Sequence, residues 1–194
     1  MNIGVYGGSF NPPHIAHLIL AESLYETLNL DRLLFIPSSI SPHKENNALL
    51  EGEHRLRLTR YAIGDNERFD VSDIEVQRGG TSYTIDTITA LDNVYKNDTL
   101  YVIVGVDNLV TFHHWREYRA ILERCTLVAM NRPGFSTGQV RDDILEKTKI
   151  VDVPYLEISS TEIRRRIREG RSVRYLVPDA VLREIEKCGY YKNG

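Results

Sequence analysis

Two histidines three residues apart, His14 and His17, lie between a glycine pair and an apolar helical pattern near the start of the chain. The apolar segment Ile3–Tyr6 predicts a buried strand, and Gly7-Gly8 lets the backbone turn sharply and approach a ligand. The apolar spacing that follows predicts a helix from about His17 to Asn29. A helix start presents unpaired amides and a partial positive charge, and one helical turn brings both imidazoles to the same side. The pattern predicts a site for a small anionic group, although a glycine turn with two solvated histidines has the same spacing.

Two common nucleotide-binding loops do not fit this segment. Gly4, Gly7 and Gly8 lack the G-x-G-x-x-G spacing of dinucleotide-binding dehydrogenases. Pro37-Ser38, after the second predicted strand, offers no carboxylate for a ribose, and the chain contains no G-K-[ST] sequence of a Walker-type loop. The first loop therefore favours phosphate handling of another kind over hydride transfer.

A second candidate site is Ser159-Ser-Thr-Glu-Ile-Arg164, in which three hydroxyl residues precede a glutamate and a run of arginines. Glu162 falls close to a capping-box position, so the segment predicts a helix start. Arg164, Arg165, Arg166 and Arg168 then fall in the first turns, where the helix dipole disfavours cations. A bound polyphosphate accounts for such a cluster. A simple helix cap and a solvated basic face are the alternatives.

A third candidate site, Gly105-Val-Asp107, ends the most apolar predicted strand, Leu100–Val104. Asp107 is suited to bind a ribose, an amine or a metal, or else to cap a helix. Trp115, the single tryptophan, belongs either to the core or to a platform for a planar ligand.

Two weaker motifs complete the set. Pro42-His-Lys44 lies in a polar segment from Ser38 to Leu50 that predicts a loop, with Arg55 nearby, and by composition Lys44 is an ordinary surface lysine. Ser82-Tyr-Thr84 precedes a helical pattern and by itself indicates a turn and a cap.

The remaining hydrophobic patterns supply the elements that must position these motifs. Strands and helices alternate along 194 residues, which predicts one α/β domain: an open, mostly parallel sheet with helices on both faces. In such sheets ligands bind at the carboxyl ends of the strands. The other predicted strands are Leu33–Ile36, Val71 to Val76, Thr126–Met130 and Leu156–Ile158, and the other predicted helices begin at about Glu53, near Ile85, after Ile158 and near Val181.

The composition limits the partners and the compartment. A formal net charge of −3 gives no overall basicity to recruit nucleic acid or an anionic membrane. Cys125 and Cys188 are far apart in sequence, which predicts buried free thiols in a reducing cytosol. The first strand begins at about residue 2 and no apolar run reaches the length of a membrane span, so we expect a cytoplasmic protein.

Taken together, the motifs resemble the nucleotidylyltransferase superfamily, whose two signatures stand here as His14-Ile-Ala-His17 and Ile158-Ser-Ser-Thr-Glu-Ile-Arg164. Within it the chain looks like the bacterial nicotinate-nucleotide adenylyltransferases, and the resemblance covers essentially the whole chain. That closer match rests on the segments around Gly8–His14, Pro42–Lys44, Ser82–Thr84, Gly105–Asp107, Trp115, Arg132–Gly134 and Tyr175–Pro178.

The resemblance implies a single Rossmann-like domain over 1–194, with a helical segment at about 160–190 packed on it. It also implies Mg²⁺-dependent transfer of AMP from ATP to nicotinate mononucleotide, giving nicotinate adenine dinucleotide and pyrophosphate in NAD biosynthesis, with a homo-oligomer possible. His14 and His17 would be the catalytic pair. The implied ATP ligands are Gly8, Ser9, Phe10, His14, His17, Gly105, Asp107, Arg132, Ser159, Ser160, Thr161 and Arg164, and the implied nicotinate-nucleotide ligands are Lys44, Tyr83, Thr84 and Trp115.

Three positions depart from the pattern of that family. Ala16 replaces the usual glycine between the histidines, and we expect its methyl group to be accommodated. Val106 stands where a smaller or polar residue is common. Arg116 stands where a tyrosine often follows the tryptophan, which removes an aromatic wall but supplies a cation for a nicotinate carboxylate.

The sequence also predicts how the histidines would act. A helix dipole disfavours the charged form of a histidine at the helix start. A neutral imidazole still donates a hydrogen bond, so His14 and His17 fit stabilisation of a transition state better than proton abstraction.

Overall fold

Six parallel strands form one open sheet in the order β3-β2-β1-β4-β5-β6. The computed structural model describes residues 1–40, 49–135 and 137–192. This sheet confirms the predicted α/β class, and all of its strand pairs are parallel. The strands are β1 (Asn2–Gly8), β2 (Arg32–Pro37), β3 (Phe69–Val71), β4 (Thr99–Gly105), β5 (Thr126–Met130) and β6 (Thr148–Val151).

Helices connect the strands in the described part of the chain, and short 3₁₀ turns at Phe112–His114 and Thr137–Gln139 supplement them. The helices are α1 (Ile15–Thr27), α2 (Gly52–Ile63), α3 (Ile74–Arg78), α4 (Thr84–Val94), α5 (Asp107–Thr111), α6 (Tyr118–Arg124), α7 (Asp142–Leu145), α8 (Ser160–Arg168) and α9 (Asp179–Cys188).

Strand order reverses between β1 and β4, which pair directly. The chain passes outward from β1 to β2 and β3, and only then crosses back to β4 on the other side of β1. A crevice opens at the carboxyl ends of the strands at such a reversal. The loop after β1 and the segment after β4 both begin there.

The core divides according to the two faces of the sheet. Val5 and Val102 pack on one face, whereas Leu33, Phe35 and Ile103 pack on the other. This separation follows from the alternation of side chains along a strand. Buried apolar residues on both faces explain why each central strand is a continuous hydrophobic run.

A third apolar cluster attaches the C-terminal helices to the sheet domain. Leu58 and Ala62 of α2 pack there with Ile163 of α8 and with Val181 and Ile185 of α9.

Two strand predictions are wrong. Ile74 and Val76 lie in α3, because β3 ends at Val71 after pairing three residues with β2. Leu156–Ile158 is not a strand, because the edge of the sheet is already occupied by β6, which the weak pattern at Thr148–Val151 did not predict. The 156–158 segment instead has no regular secondary structure.

The cysteine prediction is half wrong, since Cys125 is partly buried but Cys188 is exposed, and both are free thiols. Burial raises the pKa of the Cys125 thiol to about 12. Across 1–40, 49–135 and 137–192, no helix combines the length and the apolar character needed to cross a membrane.

Candidate active site

A cleft of about 1060 Å³ lies at the carboxyl ends of the strands, where the strand order reverses. Its volume suits a nucleotide-sized ligand. The sequence placed sixteen residues in this site, and fifteen of them line the cleft, whereas Lys44 is outside the described residues together with Pro42 and His43. The lining residues are Gly8, Ser9, Phe10, His14, His17, Tyr83, Thr84, Gly105, Asp107, Trp115, Arg132, Ser159, Ser160, Thr161 and Arg164.

His14 and His17 form a reciprocal cap at the start of α1. The backbone N–H of His14 donates to Nδ1 of His17 at 3.1 Å, and the backbone N–H of His17 donates to the carbonyl of His14 at 2.9 Å. The rings stack with their centroids 3.7 Å apart. Because Nδ1 of His17 accepts a hydrogen bond, its neutral imidazole carries the proton on Nε2, which is therefore a donor.

Burial lowers the pKa of His14 to about 4. The imidazole is 6% exposed and its Nδ1 has no hydrogen-bond partner among the described residues. The expected neutral form is therefore confirmed for His14, with desolvation rather than the helix dipole as its main cause.

This shift predicts a pH dependence of stability. The folded-state pKa of His14 lies below its ordinary value of 6.5, so between these values the unfolded chain binds the extra proton. The His14 contribution is present in full above pH 6.5 and is lost as the pH falls toward 4, amounting to about 3 kcal/mol. Urea unfolding at pH 7.5, 5.5 and 4.5 should show a smaller loss for His14→Gln than for the wild type. Parallel curves would contradict a neutral, desolvated His14.

Phe10 contributes its backbone to the loop while its ring belongs to the core. The ring is 1% exposed and packs edge-on against Tyr6 and His17, with centroids 5.8 and 5.0 Å apart. A side chain at Gly8 would place Cβ 3.0 Å from Cζ of Phe10, so glycine is needed there for this close approach. Ala16, the departure inside the first signature, is 2% exposed within α1.

The second signature contacts the loop immediately before the first. Ser160 Oγ donates to the carbonyl of Pro12 at 2.8 Å, and Arg164 Nη1 donates to the carbonyl of Asn11 at 2.8 Å. Nη2 of Arg164 lies 3.4 Å from Oγ1 of Thr161, and Nε is buried without a partner among the described residues. A buried unpaired guanidinium nitrogen beside a helix start is consistent with an anionic ligand at this position.

The arginine-cluster argument is wrong for three of the four residues. Arg165, Arg166 and Arg168 lie in the last turn of α8, where the dipole favours cations. Arg165 pairs with Glu162 and Glu169, and Arg166 donates to the carbonyl of Ser172. The helix is only nine residues long, so a run of arginines reaches its C-terminal turn at once. Arg164 alone of these four lines the cleft.

Ser159 caps a helix, which is one of the roles that the sequence allowed for its motif. It is the N-cap of α8, and its Oγ accepts from the N–H of Glu162 at 3.2 Å. It also lines the cleft, as the family resemblance implied.

The segments after β4 and β5 place a carboxylate and a cation, respectively, at the cleft. Asp107 is the first residue of α5 rather than its N-cap, and its Oδ1 lies 3.9 Å from Nη1 of Arg132. Both side chains are about 60% exposed (61% and 60%) and thus accessible to a ligand. A Cβ at Gly105 would lie 2.5 Å from Oδ1 of Asp107, so glycine leaves room for this carboxylate.

A further part of the cleft lining is aromatic and cationic. Trp115 is partly buried and packs on Phe112 with ring centroids 4.9 Å apart. The guanidinium of Arg116 lies 5.0 Å from the centre of the Tyr83 ring, and Nη1 is 3.6 Å from Asp86. This wall could hold a planar ring with an acidic substituent.

Arg55 is a supporting residue whose role the sequence did not predict. It is completely buried, and its guanidinium donates to the carbonyls of Leu50, Ser9 and Ser39 at 2.7, 2.9 and 2.9 Å. The signal was a charged residue on the apolar face of a helix, in register with Leu58 and Ala62.

Glu75 lines the cleft, and the sequence did not predict it as a site residue. It is buried, burial raises the pKa of its carboxyl group, and Thr87 Oγ1 donates to it at 2.6 Å. Its strand-like neighbours concealed it, because α3 was predicted as a strand.

Comparisons with known proteins identify relatives of this chain. The family model described as cytidylyltransferase-like matches residues 5–166. A protein of Exiguobacterium sibiricum, named probable nicotinate-nucleotide adenylyltransferase, is 41% identical over 98% of this chain and 99% of its own. One of Salinibacter ruber with the same name is 38% identical over 99% of this chain and 98% of its own.

A solved structure has the same fold. It is that of Plasmodium falciparum nicotinic acid mononucleotide adenylyltransferase complexed with NaAD, which is 20% identical and superposes with a TM-score of 0.79. The match covers 100% of this chain and 98% of that one. Fold, joined signatures and sequence identity lead to one conclusion: the chain belongs to the cytidylyltransferase-like family and, within it, to the nicotinate-nucleotide adenylyltransferases, which are nucleotidyltransferases.

Proposed function

We propose that this nucleotidyltransferase transfers AMP from ATP to nicotinate mononucleotide in NAD biosynthesis, with the triphosphate held between α1 and α8. The observation that carries the assignment of residues is the direct contact between the second signature and the loop that leads into the first. Arg164 and Ser160 bond the carbonyls of Asn11 and Pro12, 153 and 148 residues away, so both signatures act on one ligand.

The reaction requires no nucleophile from the protein. A phosphate oxygen of nicotinate mononucleotide attacks the α-phosphorus of ATP and forms a new P–O bond. The bond from that phosphorus to the bridging oxygen of the β-phosphate breaks, and pyrophosphate leaves with the electron pair. Since both reactants are polyanions, positioning and charge compensation are the main tasks of the site.

The charges of the cleft meet these tasks. His17 donates through Nε2, because its Nδ1 accepts from the backbone. His14 remains neutral and donates a hydrogen bond without taking up a proton. Arg164, with Nε unpaired among the described residues, faces the position we propose for the β- and γ-phosphates. Asp107 and Arg132 then lie around the adenosine.

Mg²⁺ belongs in this proposal as part of MgATP. Among the described residues there is no group of three or more histidine, cysteine, aspartate or glutamate side chains that could hold a metal. Mg²⁺ is commonly bound through substrate phosphates with few protein ligands, where it offsets phosphate charge. No contact described above depends on the ion.

We place the pyridine ring against Trp115 and Tyr83, with Thr84 at the adjoining helix start. Arg116 lies over Tyr83 and supplies a cation for the nicotinate carboxylate. A charge-assisted bond to that carboxylate is worth about 1.5–3 kcal/mol. The proposal therefore includes a preference for the acid over the amide.

The direct test is incubation of the protein with MgATP and one of three acceptors: nicotinate mononucleotide, nicotinamide mononucleotide or phosphopantetheine. Separation of the products should show nicotinate adenine dinucleotide and an equal amount of pyrophosphate as the preferred outcome. Faster turnover of either other acceptor would reassign the chain to a sister transferase.

Trp115 offers a test of the pyridine site. Trp115→Ala should raise KM for nicotinate mononucleotide roughly tenfold or more, because stacking of a ring on an aromatic is worth about 1–3 kcal/mol. KM for ATP should change little, and Trp115→Phe should restore most of the affinity. If Trp115→Ala lowers the unfolding midpoint but leaves KM for nicotinate mononucleotide unchanged, Trp115 serves only the core.

We further propose a cytoplasmic location and no nucleic-acid partner. Support comes from the net charge of −3 and from the free thiols at Cys125 and Cys188.

A further inference from the structure

The turn after α9 brings the C-terminal tyrosines back toward the first signature. Tyr191 lies beyond Gly189, which ends α9 in the left-handed conformation at φ 67°. Its hydroxyl donates to Oδ1 of Asn11 at 2.9 Å, across 180 residues of sequence. We infer that Tyr191 is a positioning residue for adenylyl transfer, acting on the phosphate site through Asn11.

Asn11 is the junction through which such an effect passes. It is 3% exposed, and its Oδ1 accepts from both Tyr191 and the backbone N–H of Leu50, the latter at 3.2 Å. Its carbonyl accepts from Arg164 at 2.8 Å. The orientation of the Asn11 residue therefore sets where Arg164 holds its guanidinium.

The Asn11 backbone needs this support. Phe10, immediately before it, has φ 44°, an unfavourable left-handed conformation for an aromatic residue. Burial raises the pKa of Tyr191, so the hydroxyl stays protonated and can donate. Without the Tyr191 hydroxyl, only the Leu50 N–H of these two donors still binds Oδ1 of Asn11. Asn11 is then held less firmly, and so is the carbonyl that binds Arg164.

Tyr190 provides a matched control beside it. Its hydroxyl contacts Arg57 at 2.6 Å and Nδ1 of His54 at 2.8 Å, both on α2 and outside the cleft lining. Tyr190→Phe and Tyr191→Phe each remove one buried or partly buried hydroxyl from the same turn. Both should lower the unfolding midpoint slightly and by similar amounts.

The proposal rests on the proposed function and predicts different kinetics for the two variants. Tyr191→Phe should lower kcat/KM for ATP about three- to tenfold, the size expected for one lost hydrogen bond. Tyr190→Phe should retain the wild-type value. Assays are run well below both unfolding midpoints, with ATP varied at saturating nicotinate mononucleotide.

A double-mutant cycle tests the route through Arg164. If Tyr191 acts through the Asn11 carbonyl, Tyr191→Phe should have a clearly smaller effect in the Arg164→Lys background, whereas Tyr190→Phe should remain neutral there. Equal kcat/KM values for both phenylalanine variants, or full additivity in the cycle, would overturn the positioning role. Failure of the wild-type enzyme to form nicotinate adenine dinucleotide would contradict the proposed function instead. The two failures are distinguishable, because the function is tested on the wild type and the positioning role on the variants.

Discussion

His17→Ala should lower kcat about 10²–10³-fold, the usual cost of losing one donor to a transition-state oxygen. The imidazole lies at the start of α1 with Nδ1 bound to the His14 amide, so Nε2 is its remaining donor. Steady-state kinetics with both substrates measure the effect, which should fall mainly on kcat. A fully active alanine variant would refute the assignment of His17.

The same substitution should also cost stability. His17 is the third residue of α1 and forms half of its capping box, so alanine should destabilise the fold by about 1 kcal/mol. His17→Gln separates the two roles. A glutamine at this position can accept from the His14 N–H and restore the cap, while kcat should remain far below the wild-type value. Recovery of activity in parallel with stability would mean that His17 matters only as a cap.

Arg55→Met should destabilise the protein on the order of 3 kcal/mol or more. The substitution leaves three carbonyls without a donor, and an unsatisfied buried acceptor costs about 1–3 kcal/mol. One of these is the carbonyl of Ser9, in the loop after β1. The conformation of that loop should therefore become less fixed, and KM for ATP should rise. Denaturant unfolding and steady-state kinetics at low temperature measure the two effects.

Controls for Arg55 come from the same helix. Arg55→Lys keeps the charge but cannot reproduce the planar set of donors, so its stability should lie between those of the methionine variant and the wild type. Arg60 is exposed on α2, and Arg60→Met should change stability by about 0.5 kcal/mol or less. A methionine variant at position 55 as stable as that at position 60 would contradict the supporting role of Arg55.

Most of the regular elements could be predicted from the sequence because their signals are local. The helix at Ile85–Val94 has a clear helical periodicity and the strand at Leu100–Val104 is a continuous apolar run, and both occur within one or two residues of the predicted bounds. The failures lie where packing chose between weak patterns. Ile74 and Val76 became helical after a three-residue strand, and Thr148–Val151 took the edge of the sheet.

The candidate site divides in the same way. Fifteen of the sixteen predicted site residues line the cleft, because they occur in short motifs at strand ends and helix starts. Glu75, Arg55 and Tyr191 belong to no such motif. Their roles depend on partners far along the chain, and residue spacing contains no information on those partners.

By itself the sequence determined the α/β fold, the two signatures and the family, since each depends on residue types a few positions apart. Tertiary structure alone decided that Arg164, rather than its three neighbours, lines the cleft. It also decided that Asn11 links Arg164 of the second signature to Tyr191. These contacts form only when α8 and α9 pack through their apolar faces against α2. The spacing of residues within each motif could therefore not specify these contacts.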